Sequence, residues 1–151
     1  MTLKTLDDPR PWVLAHPERF FKTGKPNDFE LAHGVWLDAT LSGCRDVMVH
    51  HDGPIWAIAG SANWLTERTL SAPELFVRVV PLGPAGPNSV RNEILLNAFC
   101  TEVFALVGGA VVFDKAAGTV RPVLEDLLRR WAGLETGIAF RLRAARRACV
   151  R

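Results

Sequence analysis

Apolar residues along this chain change their spacing several times, and each change marks an element. In NDFELAHGVWLDATLSG (27–43), Phe29, Ala32, Trp36 and Ala39 or Thr40 recur at helical intervals, which predicts a helix with those side chains on one face. Asn27 with Glu30 three residues on makes a capping-box start, and Gly43 suits a left-handed close. The next stretch, RDVMVHHDGPIWAIAG, alternates instead. Val47 and Val49 share one side, Asp52-Gly53 supplies a turn, and Ile55, Ala57 and Ala59 return on alternate positions, so a β-hairpin is expected. LFVRVVPL (75–82) reads as another strand, closed by Pro81.

Beyond it, GPAGPNSVRNEILLNAFC crowds two glycines and two prolines into a loop before a helical run over 88–104, carried by Ile94, Leu95, Ala98, Phe99 and Val103. VFALVGGAVVFD is a second hairpin turning at Gly108-Gly109. Pro122 suits the first position of a helix with Leu124, Leu127, Leu128 and Trp131 on one side. GIAFRLRA closes the pattern as a strand, with Ile138, Phe140 and Leu142 inward and Arg141 and Arg143 outward. Helices and hairpins alternate without a regular β-α-β repeat. The expected class is therefore α+β: a two-layer sandwich with a mixed, mostly antiparallel sheet and helices on one face.

The 151 residues, 48% of them hydrophobic, suffice for one buried core, so a single domain over 1–151 is expected. Residues 1–26 form a Pro-rich lead-in anchored by Trp12, Phe20 and Phe21, and 144–151 form a basic tail. A net charge of +2 is too small to single out nucleic acid, although Arg141, Arg143, Arg146, Arg147 and Arg151 crowd the end. Such a cluster either meets an anionic partner or is a solvated terminus. Cys44, Cys100 and Cys149 are odd in number and lack metal-type or redox-type spacing, which points to free thiols in a reducing compartment. No apolar run approaches the roughly eighteen residues of a membrane span, and the first residues lack the apolar core of a signal peptide. A cytoplasmic location, away from membranes, is the expectation.

Candidate chemistry is sparse. Glu30 and His33 are three residues apart on one helix, so they share a face and form either an acid–base pair or a cap beside a satisfied histidine. His50 and His51 adjoin a turn but point to opposite sides of a strand, a poor metal site; no metal is expected. Arg91 near a helix start opposes the helix dipole unless an anion or carboxylate meets it. Ser61, Asn63 and Trp64 lie where a strand ends, and line a small pocket or cap a turn over a core indole. The loop with Gly83, Gly86, Pro87 and Asn88 either grips phosphate at a helix start or serves to aim that helix, and Pro87 brings no N–H to such a grip.

Four stretches follow the order found in GHKL (Bergerat-fold) ATPases, the superfamily of the gyrase B-subunit ATPase domain: HPERFFKTG, FELAHGVWLDATLSGCRDVMVHHDG, GPAGPNSVRNEILLNAF and GTVRPVLEDLLRRWAGLETGIAFRLRAARR. Together they make the chain resemble a divergent, truncated member of that superfamily. By that resemblance Glu30 stands at the water-activating glutamate, but the magnesium-binding Asp-Asn pair falls on His33 and Gly34. Likewise the adenine-reading D-x-G-x-G motif falls on Ala59-Gly60-Ser61-Ala62-Asn63, with no carboxylate, while the adenine-side threonine has a match in Thr119. Gly86, Asn88 and Arg91 fall in and after the lid.

The resemblance implies a pseudo-ATPase: a domain binding a small molecule, or a nucleotide weakly, in a remnant pocket lined by Glu30, His33, Ser61, Asn63 and Thr119. Efficient hydrolysis of ATP with Mg is not expected, because a glycine offers a hard cation no oxygen. Two further readings stand beside it. One is an enzyme with repurposed chemistry using Glu30 and His33 on a non-nucleotide substrate. The other is an interaction module, a homodimer or a binder of a partner protein or of nucleic acid through the basic tail.

Overall fold

The computed structural model describes residues 8–66, 70–81 and 90–143. Gly83, Gly86, Pro87, Asn88, Cys149 and the tail arginines Arg146, Arg147 and Arg151 lie outside the described residues. Among the described residues five α-helices, α1 (Arg10–Ala15), α2 (Asp28–Leu41), α3 (Ala72–Leu75), α4 (Glu93–Phe99) and α5 (Val120–Arg130), and a 3-10 turn at Pro17–Arg19 accompany five strands. The strands are β1 (Val47–Asp52), β2 (Ile55–Gly60), β3 (Cys100–Val107), β4 (Ala110–Lys115) and β5 (Thr136–Leu142). They form one sheet in the order β1-β2-β5-β3-β4, every neighbouring pair antiparallel. The α+β class holds.

Helices cover both faces, not one. Alternate residues of each inner strand divide between two apolar clusters, as the two-residue period of a strand requires. Ile58, Val103, Ala105, Ile138 and Phe140 join Val13 of α1, Leu31 and Val35 of α2 and Leu95 of α4. Ala57, Ala59, Phe104 and Ala139 join Val120, Leu124 and Leu127 of α5. The sequence pattern hid this because small residues make up much of the second face. A Cβ on Gly137 would stand 2.5 Å from Leu124 Cδ1, so the missing side chain is the seat of α5. As the central strand, β5 is buried on both sides from Thr136 to Phe140, the continuous burial of a doubly covered strand.

Other expectations shift for local reasons. Of the strand expected over 75–82, the described residues 75–81 form none: Pro73 sits in the first turn of the short α3, Leu75 and Phe76 are buried, and Pro81 makes an isolated bridge to Val90. The helix expected over 88–104 stops at Phe99, because Cys100 turns extended and β3 pairs with β5, carrying Val103 into the sheet. All seven residues of α4 are buried between the sheet, α1 and the 75–80 segment, the lot of a helix with no solvent face. The first hairpin turns at Gly53-Pro54, one residue later than expected, with Gly53 at φ +57°. In α5, Thr119 takes the N-cap position and Pro122 the third helical place, while Trp131 ends the helix, half exposed. Val13 and Phe21, not Trp12, anchor the lead-in to the core; Trp12 stacks on His16 near the surface.

The helix α2 is rolled relative to its predicted face. Leu31, Ala32, Val35, Asp38 and Ala39 are buried, whereas Phe29 is 64% exposed. Asn27 is the N-cap as read, its Oδ1 accepting from Glu30 N–H at 2.9 Å, but the capping box is not completed, because the Glu30 carboxylate turns to Lys22 N–H and the Thr23 hydroxyl; Gly43 closes the turn at φ +95°. The roll follows from one close approach. A Cβ on Gly34 would stand 2.3 Å from Asn92 Oδ1, so the glycine is the notch into which Asn92 fits. Gly34→Ala should lower stability by about 1–3 kcal/mol, although alanine within a helix ordinarily gains roughly 1 kcal/mol over glycine. Chemical denaturation checks this; the loss should shrink when Asn92→Ala is already present, and an undiminished loss would place the strain elsewhere.

Candidate functional site

Among the described residues, those singled out in the sequence do not converge. Glu30 accepts from Lys22 N–H at 2.8 Å and from the Thr23 hydroxyl at 3.2 Å, so its carboxylate ties the lead-in to α2. His33, exposed on the same helix, stacks against Trp36, and among the described residues no hydrogen bond joins it to Glu30. Thr119 lies on the α5 side of the sheet, where its N–H and hydroxyl both bond Glu102. Since α2 covers the opposite face, Glu30 and Thr119 flank no common cleft.

Asn63 accepts from Leu65 N–H at 2.9 Å, closing a turn. Trp64 is 1% exposed and is core, its indole N–H without an acceptor among the described residues. Ser61 lies in a shallow depression of about 460 Å³ with Arg45, Asp46 and Trp131.

Arg91 proves to be an internal cation. Its guanidinium meets Glu93 at 2.6 Å, with both side chains 1% exposed, and donates to Trp64 O at 2.7 Å and Thr66 O at 3.2 Å. Thus the carboxylate two residues along answers the helix-start arginine. Beside it Asp38, also 1% exposed, accepts from Asn92 N–H at 2.7 Å and Asn92 Nδ2 at 3.1 Å. Burial pushes the Asp38 pKa well above the ordinary carboxylate range, and the charge of Glu93 adds to the rise against the opposing Asn92 bonds and Arg91. The cluster joins α2, α4 and residues 64–66, and its buried groups bond one another. Its work is structural.

Sequence reasoning missed the surface feature that is open. Phe29, Ala32, His33 and Trp36 from α2 face Val49 of β1 and Trp56 of β2 across a groove of about 380 Å³. Trp56 is held on three sides. Its Nε1 donates to Asp28 Oδ2 at 2.9 Å, His51 stacks on it at 4.0 Å and 9°, and Phe29 meets it edge-on at 6.2 Å and 73°. The register explains the stack, because His51 and Trp56 are direct cross-strand partners. Asp28 also accepts from the backbone N–H of Phe29 at 2.9 Å, so its carboxylate serves both the first turn of α2 and the Trp56 indole. Val49, 46% exposed, lies on β1, an edge of the sheet. The available signal was Phe29, His33 and Trp36 at i, i+4 and i+7, a stripe that reads as core until the other stripe of α2 is seen to fill that role.

A second cavity, about 250 Å³, gathers Asp8, Arg10, Asn97, Lys115 and Arg143. There the Lys115 ammonium donates to Asn97 O at 2.5 Å and Cys100 O at 2.7 Å. It thereby satisfies carbonyls at the end of α4, as a cation at a helix C-terminus does. Burial, with Arg143 and Arg10 nearby, lowers its pKa. Cys44 and Cys100 are free and buried, the Cys100 thiol pushed up to about 12 chiefly by burial, which makes it a poor nucleophile. No group of three potential metal ligands occurs among the described residues, and no described helix is long and apolar enough to cross a membrane.

No family model, no curated protein and no solved structure matches the chain.

The raised Asp38 pKa sets a pH dependence. A carboxyl whose folded pKa exceeds its unfolded value favours the fold while protonated, so its ionisation erodes stability as pH rises through the unfolded value and up to the folded one. Relative to wild type, Asp38→Asn should therefore gain stability with rising pH, by about 1.4 kcal/mol per unit of separation between the two pKa values. Thermal unfolding of both proteins across that range checks the sign. A constant gap would mean that Asp38 titrates normally.

Proposed function

We propose that this chain is a ligand-binding domain whose site is the aromatic groove between α2 and the β1–β2 hairpin. One observation carries the reading: Phe29, Trp36, Trp56 and Val49 leave a concave apolar surface open to solvent while a complete core lies beneath it. Exposing aromatic rings costs hydrophobic free energy of about 25 cal/mol per Å², and a concave set walled by rings is the ordinary form of a small-molecule site. The volume, about 380 Å³, falls within the range of roughly 300–1,000 Å³ seen for such sites. No lysine or arginine lines it, so phosphate recognition has no support there. Binding rather than catalysis is the role we favour: Glu30 is held by Lys22 and Thr23, and among the described residues no hydrogen bond joins His33, which faces the groove, to Glu30.

The pseudo-ATPase reading keeps one support, the packing of α2 and α4 on the same face, tied by Asp38 and Asn92. Among the described residues Glu30 and Thr119 lie on elements that cover opposite faces of the sheet, and the aromatic groove is the site we propose instead.

Backbone amide NMR with a neutral flat probe, 2-naphthol, tests the groove. Shifts should concentrate in residues 28–36 and 47–57, and Phe29→Ala should weaken binding by about threefold to tenfold with little effect on stability, since that ring is mostly exposed. Shifts centred on Ser61 or Thr119, or none at millimolar probe, would overturn the assignment.

A further inference from the structure

The second cavity concentrates charge of one sign. Asp8, Arg10, Asn97, Lys115 and Arg143 are among the residues lining its 250 Å³ or so. Its three cations come from three places: the first residue of α1, the last of β4 and the residue after β5. The one carboxylate among them is already paired. Asp8 meets Arg10 through both oxygens, at 2.8 Å from Nη2 and 3.0 Å from Nε. Lys115 and Arg143 remain as an excess of two positive charges in the lining, and neither makes an ion pair among the described residues.

The carbonyls of Asn97 and Cys100 hold Lys115 without neutralising it. They take two of its three ammonium protons and leave the third for a ligand. Lys115 is half-buried, so its head is held at the cavity instead of sweeping through solvent. Burial lowers its pKa, and the positive charges of Arg143 and Arg10 push the same way. The Arg143 side chain is exposed and makes no hydrogen bond among the described residues, so its planar fork of donors is open. Arg10 likewise keeps its Nη1 beyond the two nitrogens turned to Asp8. A concavity lined by an excess of one charge draws small counter-ions to itself. Two unanswered charges match a dianion, whereas a single carboxylate would answer only one. A phosphoryl group also offers three acceptor oxygens to donors that approach from different sides. The volume, about 250 Å³, lies just below the roughly 300 Å³ at which sites for drug-sized ligands begin, which suits a phosphoryl group with few atoms attached.

We propose that this cavity binds a small phosphate dianion, inorganic phosphate or the head of a small phosphomonoester, held by Lys115, Arg143 and the open edge of Arg10. The site is separate from the aromatic groove, which has no lysine or arginine in its lining, and stands or falls independently of it.

Inorganic phosphate, methyl phosphate and acetate test the site by backbone amide NMR of the full chain. They are titrated at constant ionic strength and about pH 8, where the phosphoryl group carries nearly two charges. Shifts from both phosphates should gather at residues 8–14, 97–98, 115 and 143, with acetate weaker by about tenfold or more. Arg143→Gln should weaken phosphate about fivefold or more and leave thermal stability unchanged. Arg130→Gln removes the same charge from α5 on the opposite face of the sheet and should leave the affinity nearly as it was. Tighter binding of methyl phosphate would assign a monoester and tighter inorganic phosphate the free ion, and either upholds the site. Equal losses from the two variants would reduce the effect to general attraction of charge and overturn the proposal. Acetate binding as tightly as phosphate, or no localised shifts at millimolar phosphate, would overturn it too.

Discussion

A carboxyl group with almost no access to water, that of Asp38, is the constraint from which the helical side of this protein follows. It must find donors within the fold, and it finds them on Asn92, through the backbone and the side-chain amide. Next along the chain on either side, Arg91 and Glu93 form an ion pair that is equally buried. Such pairs are costly to desolvate, by several kcal/mol per ion, and are tolerated only where geometry satisfies them nearly completely. Here the guanidinium also takes the carbonyls of Trp64 and Thr66. The cluster therefore prescribes a relative position for three segments distant in sequence, something a purely apolar contact would do with less discrimination.

Fixing Asp38 inward rotates everything else on α2. Leu31, Val35 and Ala39 turn toward the sheet with it, and Phe29, His33 and Trp36 are carried to the flank beside β1 and β2. A helix with two apolar stripes, one filled and one open, results. Gly34 makes the arrangement possible by giving Asn92 room that any side chain would take. The glycine that looked like a lost cation ligand is better understood as space reserved for an amide.

The other face of the sheet obeys a different rule. Apart from Ile55, its buried residues on β2 and β5 are small, namely Ala57, Ala59, Gly137 and Ala139, and Leu124 of α5 descends onto Gly137. Close packing rewards this pairing of a large knob with an absent side chain. With α5 there and α2 and α4 opposite, β5 is shielded on both sides although it arrives last in the chain. The outer hairpin stays at the edge, where β1 and α2 together frame the groove.

Period and punctuation alone determined much: both hairpins, the start and close of α2, the body of α5, the final strand and the α+β class were legible, because each rests on neighbours in sequence. Stretches whose fate depends on distant partners were not. Residues 75–81 have strand-like composition but, among the described residues, pair with no strand, Val103 left its helix for a ladder with β5, and small residues on β2 and β5 concealed a second covered face. Of the candidate site, His33, Phe29, Trp36 and Val49 were visible as apolar or titratable positions, while their grouping with Trp56 and Asp28 was not. Periodicity reports that a helix has apolar faces; which face is buried is decided by what packs against it, and here a buried carboxyl group 54 positions from its asparagine partner made that choice.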